Sequence, residues 1–302
     1  MLLEESLKEF LFECEVRKYT PKTVRGYRNG LNFLVNYLKQ EHKLTNLEDI
    51  QTKHLKAFFM WQSRRGRKET YLNGLLKTFR AFFKYHMGAE NITTNPVLKV
   101  SWMKEPKTII KTFSNEEVKG MLQAYSGSDY YSVRNRAIMA MLFDTGIRCF
   151  ELCTLSKAAI KDNHIVIYGK GKKERQVGLS PYLAKILMKY DRIKEYNFEF
   201  KNIRIDNYFL SRTGRPLTNA AVERIVKIAG EYANVSSDIR CSPHTCRHYF
   251  AQAQLKNGMD VYSLSRLLGH DNINITQRYL QGLKDNEVVA RSITTSVLMN
   301  LD

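Results

Sequence analysis

Arg148, His244 and Arg247 are the residues whose types and spacing best suit phosphate chemistry. Arg148 follows Thr145-Gly146-Ile147, a sequence that predicts the end of one helix and the start of another. The N–H groups at a helix start favour an anion, and a guanidinium group can hold two phosphate oxygens at once. His244 and Arg247 are three residues apart and would share a helix face, where the histidine could transfer a proton while the arginine holds the anion. Taken singly, a surface arginine and a structural histidine are the plainer interpretations.

A run of lysines at a predicted hairpin tip could also act on phosphate. The segment Gly169-Lys170-Gly171-Lys172-Lys173 lies between two short strand-like runs. Its glycines would let the backbone approach a partner closely. A lysine at this tip could contact a DNA groove or donate a proton, although a solvated basic turn explains the segment equally well.

Tyr279 is the candidate nucleophile. Gly269 is predicted to end a helix and to present His270 on a loop, nine residues before Tyr279. A phenol has an ordinary pKa near 10, and neighbouring arginines are expected to lower the pKa of Tyr279 or to stabilise its attack on phosphorus. The chain has 17 tyrosines, so a half-buried structural tyrosine is the simpler interpretation of this residue alone.

Helical patterns fill the first third of the sequence. Thr20-Pro21 is a typical helix start, with the threonine as cap and the proline at the first helical position. Apolar residues then recur at helical spacing as far as Leu38. A second strong helix is predicted from apolar residues between Leu72 and Phe83, and Gly88 is expected to end it.

A basic run separates these two helices, in the sequence Ser63-Arg64-Arg65-Gly66-Arg67-Lys68. We interpret it as a loop or a helix end that faces phosphate, so that its cations are candidate DNA contacts: Arg64, Arg65, Arg67 and Lys68. A solvated surface is an equally good interpretation of such a run.

A second domain is predicted to begin near residue 108, after a short polar and basic linker. Ser114 and Glu117 form a capping box that starts its first helix. Another helix should run through residues 137–143 and stop at Thr145-Gly146. The strand pattern predicts a hairpin from residues 164–168 and 175–179 and a short strand at 208–210, before helices resume.

The overall composition favours a polyanionic partner. The 302 residues carry a net charge of +18, with a pI near 9.6, and neutralised phosphates release counterions. A basic membrane-surface protein is the alternative. No apolar run of about 18 residues predicts a membrane span, the first residues lack a signal pattern, and the five cysteines are odd in number and unevenly spread. We therefore expect a cytoplasmic protein without a disulfide framework.

Taken in order, these segments resemble the tyrosine recombinase (lambda-integrase) family. The series Arg, Lys, His-x-x-Arg, Gly-His, Tyr is similar to that of the short Xer-type and transposon-borne members. The resemblance implies a mainly α, two-domain clamp. Residues 1–103 would form a helical, SAM-like core-binding domain and residues 104–110 a linker. Residues 111–302 would form a mixed α+β catalytic domain with a small antiparallel sheet.

The resemblance also implies how the strand is cut. Tyr279 would attack the scissile phosphate and form a 3′-phosphotyrosyl link, leaving a free 5′-hydroxyl. Arg148 and Arg247 would bind the non-bridging oxygens and stabilise the transition state. Lys170 would protonate the leaving 5′-oxygen, with Lys172 as the alternative.

Three further positions match supporting residues of the family. His244 corresponds to the proposed acid–base partner of the nucleophile. His270 corresponds to a residue that hydrogen-bonds the phosphate. Glu151 corresponds to an acidic residue that supports the pocket, while Lys172 and Lys173 are predicted to contact DNA.

The same resemblance implies a DNA recombination site as partner and a homotetramer acting on two such sites. It implies no metal, no ATP and no cofactor, and a nucleoid-associated location. The biological role would be integration or excision of a mobile element, or resolution of chromosome or plasmid dimers. A paralogous recombinase or an accessory protein stays open as a further partner.

Three other interpretations remain. Cys149, Cys153, Cys241 and Cys246 lie near histidines, as in zinc sites, although their spacing departs from Cys-x-x-Cys. Residues 260–279 resemble a helix-turn-helix pattern, so a non-catalytic DNA-binding protein is the second alternative. A type IB topoisomerase-like enzyme, which shares the chemistry, is the third.

Overall fold

The computed structural model describes residues 1–106, 110–169, 173–200, 203 and 205–280. The chain divides into two units, Met1–Lys107 and Thr108–Asp302. Within the described residues the first unit is built from four helices: α1 (Leu3–Val16), α2 (Pro21–His42), α3 (Thr52–Arg64) and α4 (Glu69–Gly88).

The predicted start of α2 is confirmed. Thr20 accepts a hydrogen bond from the backbone N–H of Thr23, and Pro21 occupies the first helical turn. The apolar faces of the four helices meet in one core, which is rich in aromatic rings such as Phe58, Phe79 and Phe83. These residues are fully buried because each helix carries its apolar side chains on one face.

The basic run forms the turn between α3 and α4. Gly66 adopts a φ of 76°, which lets the chain reverse after α3 ends. The guanidinium of Arg65 lies over the ring of Trp61, 4.7 Å from its centroid. That of Arg67 lies 5.6 Å from the centroid of the Tyr71 ring. The turn therefore presents cations that neighbouring aromatic rings orient.

The described part of the second unit consists of helices and one β-hairpin. Its helices are α5 (Asn115–Gln123), α6 (Tyr130–Thr145), α7 (Cys149–Cys153), α8 (Pro181–Phe198), α9 (Asn219–Tyr232), α10 (Pro243–Lys256), α11 (Val261–Leu268) and α12 (Asn274–Gln277). Lys157–Ala159 forms one 3₁₀ turn. The predicted capping box is present at α5, where Ser114 and Glu117 exchange hydrogen bonds.

Helix α6 is the centre of this unit, and α8 and α10 pack against it. It is buried along most of its length, and α10 approaches its end closely at Gly146. Gly146 ends α6 with a φ of 60°, and a Cβ atom there would lie 2.4 Å from the ring of Phe250. The predicted helix stop at Thr145-Gly146 is thus confirmed.

The hairpin pairs β1 (His164–Tyr168) with β2 (Glu174–Gly178) in antiparallel register. Ile165 pairs with Val177, and these side chains and Ile167 are buried in the core. Lys170 and Lys172, at the predicted tip, lie outside the described residues. The mainly helical fold with a small antiparallel sheet agrees with the fold class that the resemblance implied.

The predicted strand at 208–210 is wrong. Tyr208, Phe209 and Leu210 are buried, but only isolated bridges flank them, Ser156 to Asn207 and Leu210 to Pro216. The carbonyl of Leu210 accepts hydrogen bonds from Tyr130 and Arg134 instead of from a neighbouring strand. The apolar run was a correct sign of burial, but side chains satisfy most of the backbone groups of this run that form hydrogen bonds, and the N–H of Tyr208 donates to the carbonyl of Leu155. Across the described ranges, no helix is long and apolar enough to cross a membrane.

Candidate active site

Arg247 lies at the junction of two helix ends. Its side chain projects from α10 and is 3% exposed. Nη1 donates to the carbonyl of Gly146 at 2.7 Å, and Nη2 donates to the carbonyl of Leu268. These carbonyls belong to the C-terminal ends of α6 and α11, where the helix dipole favours a cation. Burial, with the charges of Arg148 and Arg175, lowers the pKa of Arg247 to about 9, so the guanidinium stays charged at neutral pH.

Arg148 approaches the same segment from the start of α7. Its Nη2 donates to the carbonyl of Gly269 at 2.9 Å, next to the Leu268 carbonyl that Arg247 binds. Its backbone N–H and Nη1 both donate to Glu151, each at 2.9 Å. The side chain is 41% exposed, so this guanidinium faces solvent. The structure therefore brings the two predicted arginines together.

Glu151 and Arg175 hold Arg148 in place. Arg175, on β2, donates to both carboxylate oxygens of Glu151, at 2.8 and 2.6 Å, and to the carbonyl of Leu267 at 2.9 Å. Burial opposes ionisation of Glu151, but the hydrogen bonds and charges of Arg175 and Arg148 outweigh it and lower the pKa of this carboxyl. The hairpin is thus joined by charge to the start of α7 and the end of α11.

Arg175 is a site residue that the sequence reasoning missed. The signal was available, because Arg175 closes the Gly-Lys-Gly-Lys-Lys-Glu-Arg motif of the hairpin. The strand pattern placed residue 175 at the start of the second strand and indicated no role for its side chain.

His270 is fixed through both ring nitrogens. Arg247 can only donate, so Nε2 of His270 accepts from it at 3.0 Å. Nδ1 then carries the proton and donates to the hydroxyl of Thr276 at 2.8 Å. Burial and the charges of Arg247 and Arg148 lower the pKa of His270 to about 4. This imidazole is therefore neutral and turned toward the arginines.

Tyr279 follows α12 and is buried, with 3% of its surface exposed. It packs against apolar residues of α10 and α11 that include Phe250 and Leu268. Burial raises the pKa of Tyr279, and the charges of Arg247, Arg278 and Arg148 only partly oppose this. The expected lowering of this pKa is therefore wrong for this conformation, because the loss of hydration outweighs the arginines.

A histidine outside the predicted set contacts the phenol. Nδ1 of His248 lies 2.9 Å from Oη of Tyr279, and the two ring centroids are 5.4 Å apart. His244 packs against His248 instead, with 4.1 Å between ring centroids. Burial, followed by the charge of Arg247, lowers the pKa of His244. The signal for His248 was its i,i+4 spacing from His244, which places both rings on one face of α10.

One predicted lysine and the candidate zinc ligands lie among the described residues. Lys173 is exposed and forms an ion pair with Asp271, next to His270. Among residues that the structure describes, no three His, Cys, Asp or Glu side chains are arranged to hold a metal ion. The zinc alternative therefore has no assembled set of ligands there.

Two guanidinium groups and a neutral imidazole meet around the carbonyls of Leu268 and Gly269, and a phenol lies near enough for the arginine charges to act on it. This arrangement can neutralise a phosphodiester, and it keeps a hydroxyl nucleophile close by, which is buried against His248 in this conformation. With the fold, it defines the class of enzymes that transfer phosphoryl groups to a protein side chain.

Profiles of two known domain families match the chain. The phage integrase family profile matches residues 111–285, and that of the phage integrase N-terminal SAM-like domain matches residues 7–90. The chain belongs to the phage integrase family of tyrosine recombinases, which are DNA strand transferases. This membership does not favour a non-catalytic DNA-binding protein or a topoisomerase.

Similar proteins match along most of their lengths. The tyrosine recombinase XerD of Listeria monocytogenes is 28% identical over 283 residues, which cover 92% of this chain and 94% of that protein. The tyrosine recombinase XerC of Thermodesulfovibrio yellowstonii is 30% identical over 261 residues, 85% of this chain and 84% of that protein.

Solved structures share the fold. XerH bound to a palindromic difH substrate, a post-cleavage complex, has a TM-score of 0.77 and 21% identity over 93% of this chain and 82% of that one. A lambda integrase dimer bound to a COC′ core site has a TM-score of 0.74 and 20% identity, over 92% and 95% of the chains.

Proposed function

We propose that this chain is a site-specific recombinase that cleaves and rejoins DNA through a covalent link between Tyr279 and the 3′-phosphate at the cut. The observation that carries the proposal is the convergence of two arginines on adjacent carbonyls. Arg148 binds the carbonyl of Gly269 and Arg247 that of Leu268. The charges of both arginines also act on the phenol of Tyr279.

The two arginines neutralise the scissile phosphate. A phosphodiester resists attack by an oxygen nucleophile because its non-bridging oxygens carry negative charge, which grows more concentrated in the transition state. Arg148 and Arg247 are already oriented by protein carbonyls, so little reorganisation accompanies binding. His270 accepts from Arg247 through Nε2 in this conformation, and it contacts the phosphate once Nε2 releases Arg247 and carries a proton.

Proton transfer completes the reaction. Lys170, or Lys172 in a different turn register, protonates the 5′-oxygen as it leaves, and His244 is an acid–base partner. The phosphotyrosyl link conserves the energy of the broken bond, so a 5′-hydroxyl of another strand can reverse the step. The reaction therefore needs no ATP, metal or cofactor.

The partner is duplex DNA at a recombination site. Residues 1–103 are the core-binding domain, 104–110 the linker and 111–302 the catalytic domain, and the basic turn and the hairpin tip contact DNA: Arg64, Arg65, Arg67, Lys68, Lys172 and Lys173. Four copies act on two sites, a proposal that gains support from the lambda integrase tetramer bound to a Holliday junction. The protein acts in the cytoplasm, at the nucleoid, in mobile-element movement or dimer resolution.

Covalent capture tests this function. The protein first selects duplexes from a random pool. Each selected duplex is then nicked next to the bound site, so that cleavage releases a short fragment that carries the 5′-hydroxyl. Without that hydroxyl the step cannot reverse, and the adduct accumulates. The wild-type chain is expected to form an adduct, whereas Tyr279→Phe binds equally well and forms none. Tyr249→Phe is the matched control, because its hydroxyl bonds to Asn115 outside the arginine cluster. An adduct in Tyr279→Phe, or its absence in the wild type, contradicts the proposal.

A further inference from the structure

The contact between His248 and Tyr279 has a defined direction. Burial raises the pKa of Tyr279, so its phenol keeps its proton at neutral pH. Burial and the neighbouring charges of His244 and Arg247 lower the pKa of His248 to about 4, so its imidazole is neutral. A neutral imidazole can accept at one nitrogen, and the phenol therefore donates its proton toward Nδ1 of His248 at 2.9 Å.

The other histidines of the cluster are placed differently. His270 uses both ring nitrogens, one toward Arg247 and one toward Thr276. His244 lies against the ring of His248, and no hydrogen bond joins it to the phenol in the described part of the chain. Of these three imidazoles, His248 presents a lone pair to the nucleophile.

We propose that His248 is a further catalytic residue, the base that accepts the proton of Tyr279 as the phenol attacks the scissile phosphate. This inference rests on the proposed function, and it moves one role given there: the base for the phenol becomes His248 in place of His244. The O–H bond of Tyr279 breaks and an N–H bond forms at Nδ1 of His248, while the phenol oxygen bonds to phosphorus. The P–O5′ bond breaks, and the 5′-oxygen takes its proton from the separate donor. In the reverse step the imidazolium of His248 returns its proton to Tyr279.

The charges around His248 are suited to this exchange. His244 and Arg247 face it from α10, and Arg278 and His270 act on it from the segment that follows α11. These groups keep the imidazole neutral before DNA binds, which is the state that can accept a proton. A bound phosphodiester adds a negative charge that offsets them and favours the imidazolium.

The pH dependence of cleavage distinguishes a base from a merely structural contact. Adduct formation is measured in single turnover on the nicked duplex, from about pH 5.5 to about pH 9. Between about pH 7 and about pH 9 the wild-type rate is expected to change little, because the pKa of His248 is about 4 in the free protein, which leaves room for the rise that the phosphodiester causes. In His248→Asn the rate should fall about 100-fold near pH 7 and recover about tenfold per pH unit, as the phenolate fraction grows.

The choice of asparagine separates the two roles. Its side-chain oxygen can accept a hydrogen bond near the position of Nδ1, but it is not a base. A role in orientation alone would leave His248→Asn with wild-type rate and a flat profile, and that result would overturn the proposal. His248→Phe removes the hydrogen-bond acceptor as well, so its rate of adduct formation should be lower still. A variant whose rate rises again at high pH is folded, because an unfolded protein would not recover activity.

Two further variants serve as a control and as a test of His244. His164→Asn, at the start of β1 and outside the cluster, is the matched control and should keep the flat profile. If His244→Asn acquires the steep profile while His248→Asn stays flat, His244 is the base and the proposal is wrong. If the wild type forms no adduct at any pH, the proposed function fails first. An adduct with a flat His248→Asn profile rejects this inference alone.

Discussion

At the scale of single residues, the site depends on a carboxylate that does no chemistry. Glu151 is 5% exposed and accepts hydrogen bonds from Arg148 on one side and Arg175 on the other. Removing one member of a buried ion pair costs several kcal/mol, typically about 3–5, because it leaves an uncompensated charge. Loss of the Glu151 carboxylate is therefore expected to destabilise the fold as well as to release Arg148.

The ionisation of Glu151 predicts a specific pH dependence of stability. The folded-state pKa of Glu151 lies below its ordinary value of 4.5, so the stabilisation is fully present above the unfolded-state pKa and is lost as pH falls through the folded one. Glu151→Gln should be less stable than the wild type at neutral pH, and this difference should narrow below about pH 4.5. Urea unfolding of both proteins at a series of pH values measures it.

A matched variant controls for general acid effects. Glu231→Gln changes an exposed carboxylate that pairs with Lys227 along α9. We expect its stability to follow that of the wild type at every pH. A wild-type advantage over Glu151→Gln that stays constant into the acid range would show that Glu151 acts by shape and not by charge.

At the scale of elements, glycine-ended helices aim carbonyls at the arginines. Gly146 ends α6 and Gly269 ends α11, with φ values of 60° and 63°. Their left-handed conformation turns the chain so that the carbonyls of Gly146 and Leu268 receive Arg247, and that of Gly269 receives Arg148. A side chain at either position would disturb both the helix end and the binding of a guanidinium.

Gly269→Ala should damage the site more than the fold. The positive φ costs an alanine about 1–2 kcal/mol, and its Cβ would lie 2.9 Å from Cδ of Arg175. Arg175 must then shift, which disturbs its ion pair with Glu151. We expect a stability loss of about 2 kcal/mol and a slower rate of adduct formation, with DNA affinity retained. Thermal unfolding and single-turnover cleavage measure these changes.

Gly178→Ala is the control for this substitution. Gly178 ends β2, and a Cβ atom there would meet nothing within 4 Å. It should leave stability and cleavage unchanged. Equal behaviour of the two alanine variants would mean that the end of α11 tolerates a side chain and does not aim the carbonyls.

Local signals were predictable from the sequence, whereas contacts between elements were not. Helix starts at Thr20 and Ser114 and stops at Gly146 and Gly269 follow from caps and backbone conformations that each residue type prefers. The strand predicted at 208–210 failed because an apolar run indicates burial without indicating which backbone groups it pairs with.

The contact between the Tyr279 phenol and His248 is one that the sequence could not predict. His248 and Tyr279 are 31 residues apart, and their contact depends on how the chain turns after α11. No spacing rule reaches across such a turn. The resemblance to the family pointed to His244 as the partner of the nucleophile, whereas in this structure the phenol meets His248, one turn further along α10.

At the scale of the whole molecule, the net charge of +18 favours DNA as a partner, while the number of phosphates that cations neutralise sets how binding depends on salt. Removing one cation that neutralises a phosphate should reduce the slope of log K against log salt by about 0.9 on duplex DNA. A cation that does not contact a phosphate should leave this slope unchanged. A change of the salt slope therefore identifies a cation that contacts DNA directly. The basic turn between α3 and α4 is the place to look for such contacts in the first unit.

Replacing Arg65 and Arg67 together by alanine tests that turn. If both guanidinium groups contact phosphates, affinity falls for all DNA sequences and the slope decreases by about 1.8. Lys157→Ala with Lys227→Ala removes the same charge from exposed residues that pair with Glu195 and Glu231, and should leave the slope unchanged. Titrations of a labelled duplex at several salt concentrations measure it. Equal slopes for the arginine variant and the wild type would contradict this prediction. The guanidinium groups beside Trp61 and Tyr71 would then not contact DNA phosphates, and the turn would be a solvated surface.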